Sequence, residues 1–385
     1  MPKTDNSKKT NILITFGTRP EAIKLAPIIK ILPSYKKYFN FKVCSTGQHR
    51  EMLKQVIDFF EIKPDFKFDI MADNQKLSSL SAKVLGTMDE VFGKFIPDIV
   101  LIQGDTTTAF LTALFSYYNK VKIGHVEAGL RTYDKYNPFP EEINRRLISN
   151  IADFNFAPTK TSYDNLIGEK VSKDTICISG NTIVDAINWG LEKIKKYKNS
   201  IQKLEPFNKI DYNKKIIVVT MHRRESFGND IMNVCHALKE IAGKYAGVQI
   251  VYPVHLNPNV REPVFSLLSN VKNILLIEPL NYESFLCLMN SSYFIITDSG
   301  GIQEEAPTLK KPVLVIRKKT EREESLKLGF SKLIGTSKET IIKEASNLIE
   351  NEIDYMKMMP LINPYGDGNA AEKILNFIKE NINAG

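Results

Sequence analysis

Short apolar runs that each end in a glycine- or charge-bearing loop and then a helical stretch recur along this chain. That recurrence constrains the fold more than any other feature. Asn11–Phe16 (NILITF) is followed by Gly17-Thr18-Arg19-Pro20 and a helical stretch from near Glu21. Phe41–Ser45 leads to Thr46-Gly47-Gln48-His49-Arg50, and Asp98–Ile102 leads to Gln103-Gly104-Asp105-Thr106. Lys122–Val126 leads to Glu127-Ala128-Gly129. Strands alternating with helices make a parallel sheet covered on both faces. After about Gly180 the alternation restarts. Ile216–Met221 precedes His222-Arg223-Arg224-Glu225, and Val248–Tyr252, Ile274–Leu276, Tyr293–Thr297 and Val313–Ile316 read as further strands. The expected fold class is α/β, with two doubly wound domains over 11–180 and 181–365, a number that suits 385 residues. A turn-rich break at Asn363–Gly368 precedes a final amphipathic helix, Asn369–Ile382, and residues 369–385 are expected to pack back on the first domain.

Bulk properties exclude several classes. Hydrophobic residues at 43% and charged residues at 25% describe an ordinary globular chain with a full core. The net charge is +8, but the positive residues are scattered in pairs such as Lys36–Lys37, Lys214–Lys215 and Lys310–Lys311, which read as solvated surface. The basic residues are not interleaved with aromatics in a recognised motif, so no nucleic-acid partner is expected. A mild positive excess suits an anionic small substrate. The four cysteines, Cys44, Cys177, Cys235 and Cys287, form no CxxC motif. Met1–Thr10 has no apolar signal-like stretch, and no segment approaches about 18 continuous apolar residues. The expectation is a cytoplasmic protein with no membrane partner.

In open parallel sheets, ligands sit beyond the carboxyl ends of the strands, where every loop named above falls. Asp298-Ser299-Gly300-Gly301 follows an apolar strand and opens a short helix. A Ser-Gly-Gly turn lets backbone N–H groups approach an anion, and Glu304 and Glu305 within the next turn can accept from ribose hydroxyls. The alternative is a plain tight turn with Glu at the helix start. Arg19 suits bidentate phosphate contact, or is a surface arginine. Asp105, Glu127 and Glu141 form an acidic set at the ends of neighbouring strands and the start of a helix. Clustered carboxylates separate one another's pKa values and can yield a base and an acid at neutral pH. Taken singly, Asp105 fits a helix N-cap and Glu141 a first-turn dipole partner. His222 beside Arg223 and Arg224 is a phosphate donor or an acid–base group. No GxxxxGK[ST], no GxGxxG after the first strand, no HExxH and no GxSxG is present, so no nucleotide cofactor, metal or serine nucleophile is expected.

Seven motifs in order make a more specific pattern. Phe16–Ala22 (FGTRPEA), Thr46–Arg50 (TGQHR), Gly104–Thr108 (GDTTT), His125–Arg131 (HVEAGLR), Pro140–Arg145 (PEEINR), His222–Gly228 (HRRESFG) and Asp298–Pro307 (DSGGIQEEAP) together resemble the non-hydrolysing UDP-N-acetylglucosamine 2-epimerases, from about residue 11 to the end. The resemblance implies a glycosyltransferase-B-like fold of two Rossmann-like domains with the active site in the cleft. It implies interconversion of UDP-GlcNAc and UDP-ManNAc by elimination of UDP to a 2-acetamidoglucal and re-addition, with no cofactor and no metal. By the same resemblance Asp105, Glu127 and Glu141 are acid–base candidates, with His222 assisting near the diphosphate. Lys24 and Arg145 match active-site positions. Arg19, Phe285, Ser299, Gly300, Gly301 and Glu305 match substrate positions, mainly around the UDP. Gln48 and His49 match an allosteric site for UDP-GlcNAc, and the family's usual state is a homodimer. One departure stands at Thr320–Glu324, where Glu323 replaces the family's usual proline; its loss is expected to loosen that loop. Competing readings are a 2-epimerase of a modified UDP-N-acetyl sugar, a hydrolysing epimerase releasing ManNAc and UDP, a retaining glycosyltransferase and a nucleotide-sugar sensor.

Overall fold

The computed structural model describes residues 9–47, 50–72, 75–223, 226–359 and 362–382. The chain divides into two compact units, one of residues 1–186 with 365–385 and the other of residues 187–364.

The first unit holds a seven-stranded parallel sheet. Its strands are β1 (Thr10–Phe16), β2 (Phe39–Ser45), β3 (Phe66–Lys67), β4 (Ile99–Gln103), β5 (Lys122–Val126), β6 (Phe154–Ala157) and β7 (Ile176–Ile178). Their order is β3-β2-β1-β4-β5-β6-β7, so the winding direction reverses between β1 and β4. β1 and β4 are almost continuously apolar and, apart from Asn11, buried, as strands covered on both faces must be. Val100, Ile102 and Leu13 pack against Met88, Val91, Ala113 and Ile148 from the covering helices. The helix Ala370–Asn381 belongs to this unit: Ile374, Leu375 and Ile378 are fully buried, and Phe377 meets Phe154 and Phe156 edge-on. Asp185 accepts the backbone N–H groups of Ala370 and Ala371, meeting two of the donors a helix start leaves open.

The second unit holds a six-stranded parallel sheet of β8 (Lys215–Thr220), β9 (Val248–Pro253), β10 (Ile274–Ile277), β11 (Phe294–Thr297), β12 (Val313–Val315) and β13 (Ser331–Leu333), in the order β10-β9-β8-β11-β12-β13. The reversal lies between β8 and β11, with Thr220 registered against Thr297. Ile217, Val219, Ile250 and Ile296 form its core with Val234, Leu238, Ile241 and Ile341. Both units are doubly wound and Rossmann-like, the fold class expected from the strand–loop–helix recurrence.

Three local expectations change. Arg19 does not sit in a loop but opens the helix Arg19–Ile31, with Pro20 in its first turn. Asp105 is not a helix N-cap: Thr106 holds that place, accepting from Ala109 N at 3.0 Å. β3, β6, β7 and β13 add two to four residues each where no strand is apparent from periodicity.

Ile374 fixes the terminal helix to the first unit. Ile374→Ala should therefore cost that unit about 2–5 kcal/mol, read as an earlier urea transition monitored inside residues 1–186. A transition that moves only for the second unit would contradict this packing.

Candidate active site

In the first unit the sheet reversal brings the loops after β1 and β4 together. Glu21, 1% exposed, joins them. Its Oε2 accepts the N–H groups of Gly17 and Thr18 at 3.0 and 2.7 Å, and its Oε1 accepts the Thr106 hydroxyl at 2.7 Å. Burial raises the Glu21 pKa, and these hydrogen bonds partly oppose the shift. The neighbouring loops thereby fix the starts of Arg19 and Asp105.

Asp105 follows β4 and is ion-paired with Arg145. Arg145 sits on the helix Glu141–Ile151 and also lies 3.6 Å from the fully buried Glu142. Asn144 from the same helix donates to the Asp105 carbonyl at 2.9 Å. Glu142 accepts the N–H groups of Thr132 and Tyr133, both at 3.0 Å, and ties the preceding loop to the helix. Glu141 opens the helix. Its pKa is raised, first by burial and then by the Asp105 charge, with Arg145 pulling the other way. Asp105, Glu141 and Arg145 are thus one electrostatic cluster.

Glu127 follows β5, the strand beside β4, in a left-handed conformation at φ 68°. For a residue with a Cβ this costs on the order of 1–2 kcal/mol. Such strain persists where surrounding contacts over-determine it. Here Oε2 takes the Lys24 ammonium and, at 3.0 Å, the Asn181 amide, while Oε1 takes Gln103 Nε2 at 3.0 Å. Gly129, just beyond, has φ 91°, and a Cβ there would lie 2.2 Å from the Ser162 carbonyl oxygen. Only glycine fits that turn of the HVEAGLR motif.

His125 lies beneath this edge with no exposure. Its Nε2 donates to the Gly104 carbonyl at 2.8 Å, which places the proton on that nitrogen. Burial drives its pKa down to about 3, and the Arg131 and Arg145 charges add to the fall against the Gly104 bond.

In the second unit the reversal joins the loops after β8 and β11. Asp298, fully buried, accepts the N–H groups of His222 and Arg223 on Oδ2, each at 2.8 Å, and faces His222 Nδ1 with Oδ1 at 3.1 Å. Burial would raise its pKa, but the bond and charge of His222 and the two backbone N–H groups outweigh it and the pKa falls. Ser299 N donates to Thr297 Oγ1 at 2.9 Å, and Gly300 opens the short helix Gly300–Glu305. Gly301 is exposed, and Glu305 and Phe285 are half-buried. Glu304 has a different task from Glu305: it is buried and bridged to Arg322, with Nε at 2.9 Å.

Arg322 lies against Gly300, where an added Cβ would be 3.2 Å from the guanidinium carbon. It also pairs with Glu321, which Arg317 holds at 3.1 Å. Burial would raise the Glu321 pKa, yet Arg322, Arg317 and Arg223 push it down to about 2. Thr320 donates to Gln303 at 2.8 Å. The loop expected to be loosened by loss of a proline is therefore braced. Glu323 is the first residue of the helix Glu323–Lys327, a position that accepts proline and also suits a carboxylate beside the helix dipole.

Within the first unit the structure brings Asp105, Glu141 and Arg145 together, and Lys24 with Glu127. Within the second it gathers His222 and Ser299–Gly301 around the sheet reversal. Arg19, the first residue of its helix, is half-buried. Gln48, His49, Arg224 and Glu225 lie outside the described residues. Glu21, Gln103, Asn181, Asp298 and Arg322 are positioning groups that motif reasoning left without a role. An acidic residue ending a buried strand was the available signal for Asp298. Among the described residues no group of three or more His, Cys, Asp or Glu side chains could hold a metal ion, and no helix is long and apolar enough to cross a membrane.

Residues 34–379 match the family model described as UDP-N-acetylglucosamine 2-epimerase. The UDP-N-acetylglucosamine 2-epimerase of Campylobacter jejuni is 53% identical over 371 residues, covering 95% of this chain and 97% of the relative. That of Escherichia coli K12 is 48% identical, covering 96% and 98%. A crystal structure of the Neisseria meningitidis UDP-GlcNAc 2-epimerase bound to UDP-GlcNAc has 46% identity and a TM-score of 0.90, covering 96% of this chain and all of that one.

The neutral, buried His125 makes a pH prediction. Its folded pKa lies far below the usual 6.5, so the unfolded chain binds the proton first as pH falls. Its contribution is present above about pH 6.5 and is lost on acidification toward pH 3. The first unit should lose about 1 kcal/mol per pH unit below 6.5 through this residue. His125→Gln should flatten that slope in urea midpoints measured from pH 7.5 to 4.5. An unchanged slope would assign the acid sensitivity to other groups.

Proposed function

The chain belongs to the UDP-N-acetylglucosamine 2-epimerase family, and from that membership we propose that it interconverts UDP-GlcNAc and UDP-ManNAc by eliminating and re-adding UDP. The geometric observation that carries the proposal is the pairing of two carboxyls with unlike surroundings, Asp105 against Arg145 and Glu141 with a raised pKa. A proton on a carbon bearing an acetamido group is weakly acidic, so its removal needs a positioned base, and its return to the opposite face needs a positioned acid. Asp105, ion-paired with Arg145, takes the C2 proton. As the C2–H bond breaks, a C1–C2 double bond forms and the C1–O bond to the diphosphate breaks, its electron pair leaving with UDP. Glu141, whose pKa is raised by burial and by the Asp105 charge, returns a proton to C2 from the other face. UDP oxygen then re-forms the bond to C1.

Glu127 has a fixed place in this scheme. With Lys24, Gln103 and Asn181 on its two oxygens, it orients the sugar rather than swinging to meet it. In the second unit His222 and the Ser299-Gly300-Gly301 turn meet the negative charge of the leaving diphosphate. Phe285 and Glu305 serve the nucleoside, and Arg19 and Arg145 add positive charge. The family resemblance extends the proposal to a cytoplasmic homodimer and to activation by UDP-GlcNAc through Gln48 and His49.

Incubation with UDP-GlcNAc in deuterated water tests the chemistry. Deuterium should enter at C2 and UDP-ManNAc should appear, with UDP-GlcNAc and UDP-ManNAc approaching one equilibrium from either side. Free ManNAc would instead identify a hydrolysing enzyme. Asp105→Asn should reduce exchange by about 100-fold or more while UDP binding, measured by calorimetry, survives. Exchange at the wild-type rate in that variant would remove Asp105 from the role of base.

A further inference from the structure

We propose that Asn181 is the positioning residue for Glu127: its side-chain amide fixes that carboxylate in the place from which it orients the sugar. The inference rests on the function proposed above. It goes further by bringing into the reaction a residue that lies outside all seven sequence motifs.

Asn181 is buried, and all four of its polar groups are engaged. Its backbone N–H donates to the Tyr365 carbonyl at 2.8 Å, and its carbonyl accepts the Val184 N–H at 3.1 Å. Its side-chain Oδ1 accepts the Ile183 N–H at 3.0 Å, and Nδ2 donates to Glu127 Oε2 at 3.0 Å. The network settles which way the amide points. Oδ1 must face the Ile183 N–H, so Nδ2 must face Glu127, and a carboxylate takes only donors. With one side chain Asn181 caps the helix Thr182–Lys195 and grips a carboxylate 54 residues back along the chain.

Three parts of the first unit locate this residue. The sheet does so through Ser179, whose N–H donates to the Ala157 carbonyl at 3.0 Å just beyond β6 and β7. The helix does so through the cap. The third part is the segment that opens at Tyr365, with which the chain returns to the first unit. Gly180, at φ 88°, lets that segment come close: a Cβ there would lie 3.3 Å from the Tyr365 carbonyl oxygen.

Glu127 needs such a support, because its left-handed backbone is not a conformation it would hold alone. Lys24 meets the same oxygen, Oε2, but from the end of a flexible four-carbon stem that can follow the carboxylate wherever it turns. Gln103 holds the other oxygen from the end of β4. Asn181 is short and bonded at every polar atom, so a carboxylate that turned away from it would leave a buried N–H without an acceptor. Lys24 is the charged group facing the pair from the helix Arg19–Ile31. On β5, His125 is turned to the Gly104 carbonyl. Asp185, one turn along from Asn181, is occupied by the N–H groups of Ala370 and Ala371, and Asp367 of the returning segment is paired with Lys373.

Two substitutions separate the helix cap from the grip on Glu127. Asn181→Ser keeps a hydroxyl for the Ile183 N–H and keeps the backbone bonds, but its side chain is too short to reach Glu127. Asn181→Asp keeps the shape and the cap and replaces the donor by a carboxyl. The readout is kcat for deuterium entry at C2 of UDP-GlcNAc from pH 5 to 9, with the urea transition of the first unit and calorimetric UDP binding followed beside it. Asn181→Ser should keep a cooperative transition and a UDP affinity within about threefold of wild type, while kcat falls by about 10- to 100-fold.

Asn181→Asp should acquire a pH dependence that the wild type lacks. Two carboxyls about 3 Å apart do not readily both ionise, so at the acid end they hold one proton between them. That proton restores the missing donor. It is lost as pH rises through the apparent pKa of the pair, and kcat relative to wild type should fall with it by about 10-fold or more. A merely structural asparagine would give no such limb. A ratio of kcat values that ignores pH overturns the proposal, and so does wild-type kcat in Asn181→Ser. Asn181→Asp carries the test alone where the serine variant does not fold. Wild-type enzyme that exchanges no deuterium would defeat the function proposed above. Wild-type exchange with variants that match it defeats this inference only.

Discussion

Each sheet of this protein must reverse its winding direction once, and at each reversal a buried carboxylate holds the two diverging loops together. In the first unit the reversal lies between β1 and β4, and Glu21 binds Gly17, Thr18 and Thr106. In the second it lies between β8 and β11, and Asp298 binds His222 and Arg223. A reversal leaves the loops on either side of it splayed apart, with backbone N–H groups that have no strand partner. A carboxylate oxygen can accept two such groups at once, each bond to a charged acceptor worth about 1.5–3 kcal/mol. Arg19, Asp105, His222 and Ser299 sit within a residue or two of these latches, because that is where the sheet has stopped dictating backbone direction.

Beyond the latches, the first unit separates two electrostatic tasks. Lys24, Gln103 and Asn181 fill both oxygens of Glu127, so that carboxylate is committed to a place and a charge. Asp105 is ion-paired with Arg145, and Glu141 lies in the field of both, its pKa raised first by burial and then by the Asp105 charge. The strained backbone of Glu127 and the glycine at Gly129 belong to the committed side, where contacts define a position that local preference resists.

Much of this was legible in the sequence, and the omissions have physical reasons. Long buried strands such as β1, β4, β5 and β8 announce themselves as apolar runs, and the catalytic candidates follow them directly. β3, β6, β7 and β13 span two to four residues and lie on the sheet flanks, too short for any period to register. The residue types at Asp105, Glu127, Glu141 and His222 were visible because charged groups at the ends of apolar strands need a reason. Gln103 and Asn181 were not, since an amide at a strand end or helix start looks like ordinary capping. The partner of Asp298 lies 76 residues back along the chain and becomes a neighbour only once β8 and β11 pair. At Arg322 the opposite holds: the missing proline suggests a loose loop, but ion pairs to Glu304 and Glu321 brace it.

The two latches share a geometry yet differ in electrostatic sign, and the difference separates architecture from chemistry. Glu21 meets only neutral donors, two backbone N–H groups and a hydroxyl, and burial wins: its pKa rises. Asp298 is as deeply buried, but one of its partners is an imidazole, and its pKa falls. A latch that meets only neutral donors can hold loops together and do little else. A carboxylate that also lies beside a histidine ring ties its loop to a chemical group: Asp298 fixes the His222 backbone through Oδ2, and its Oδ1 lies 3.1 Å from the ring nitrogen Nδ1.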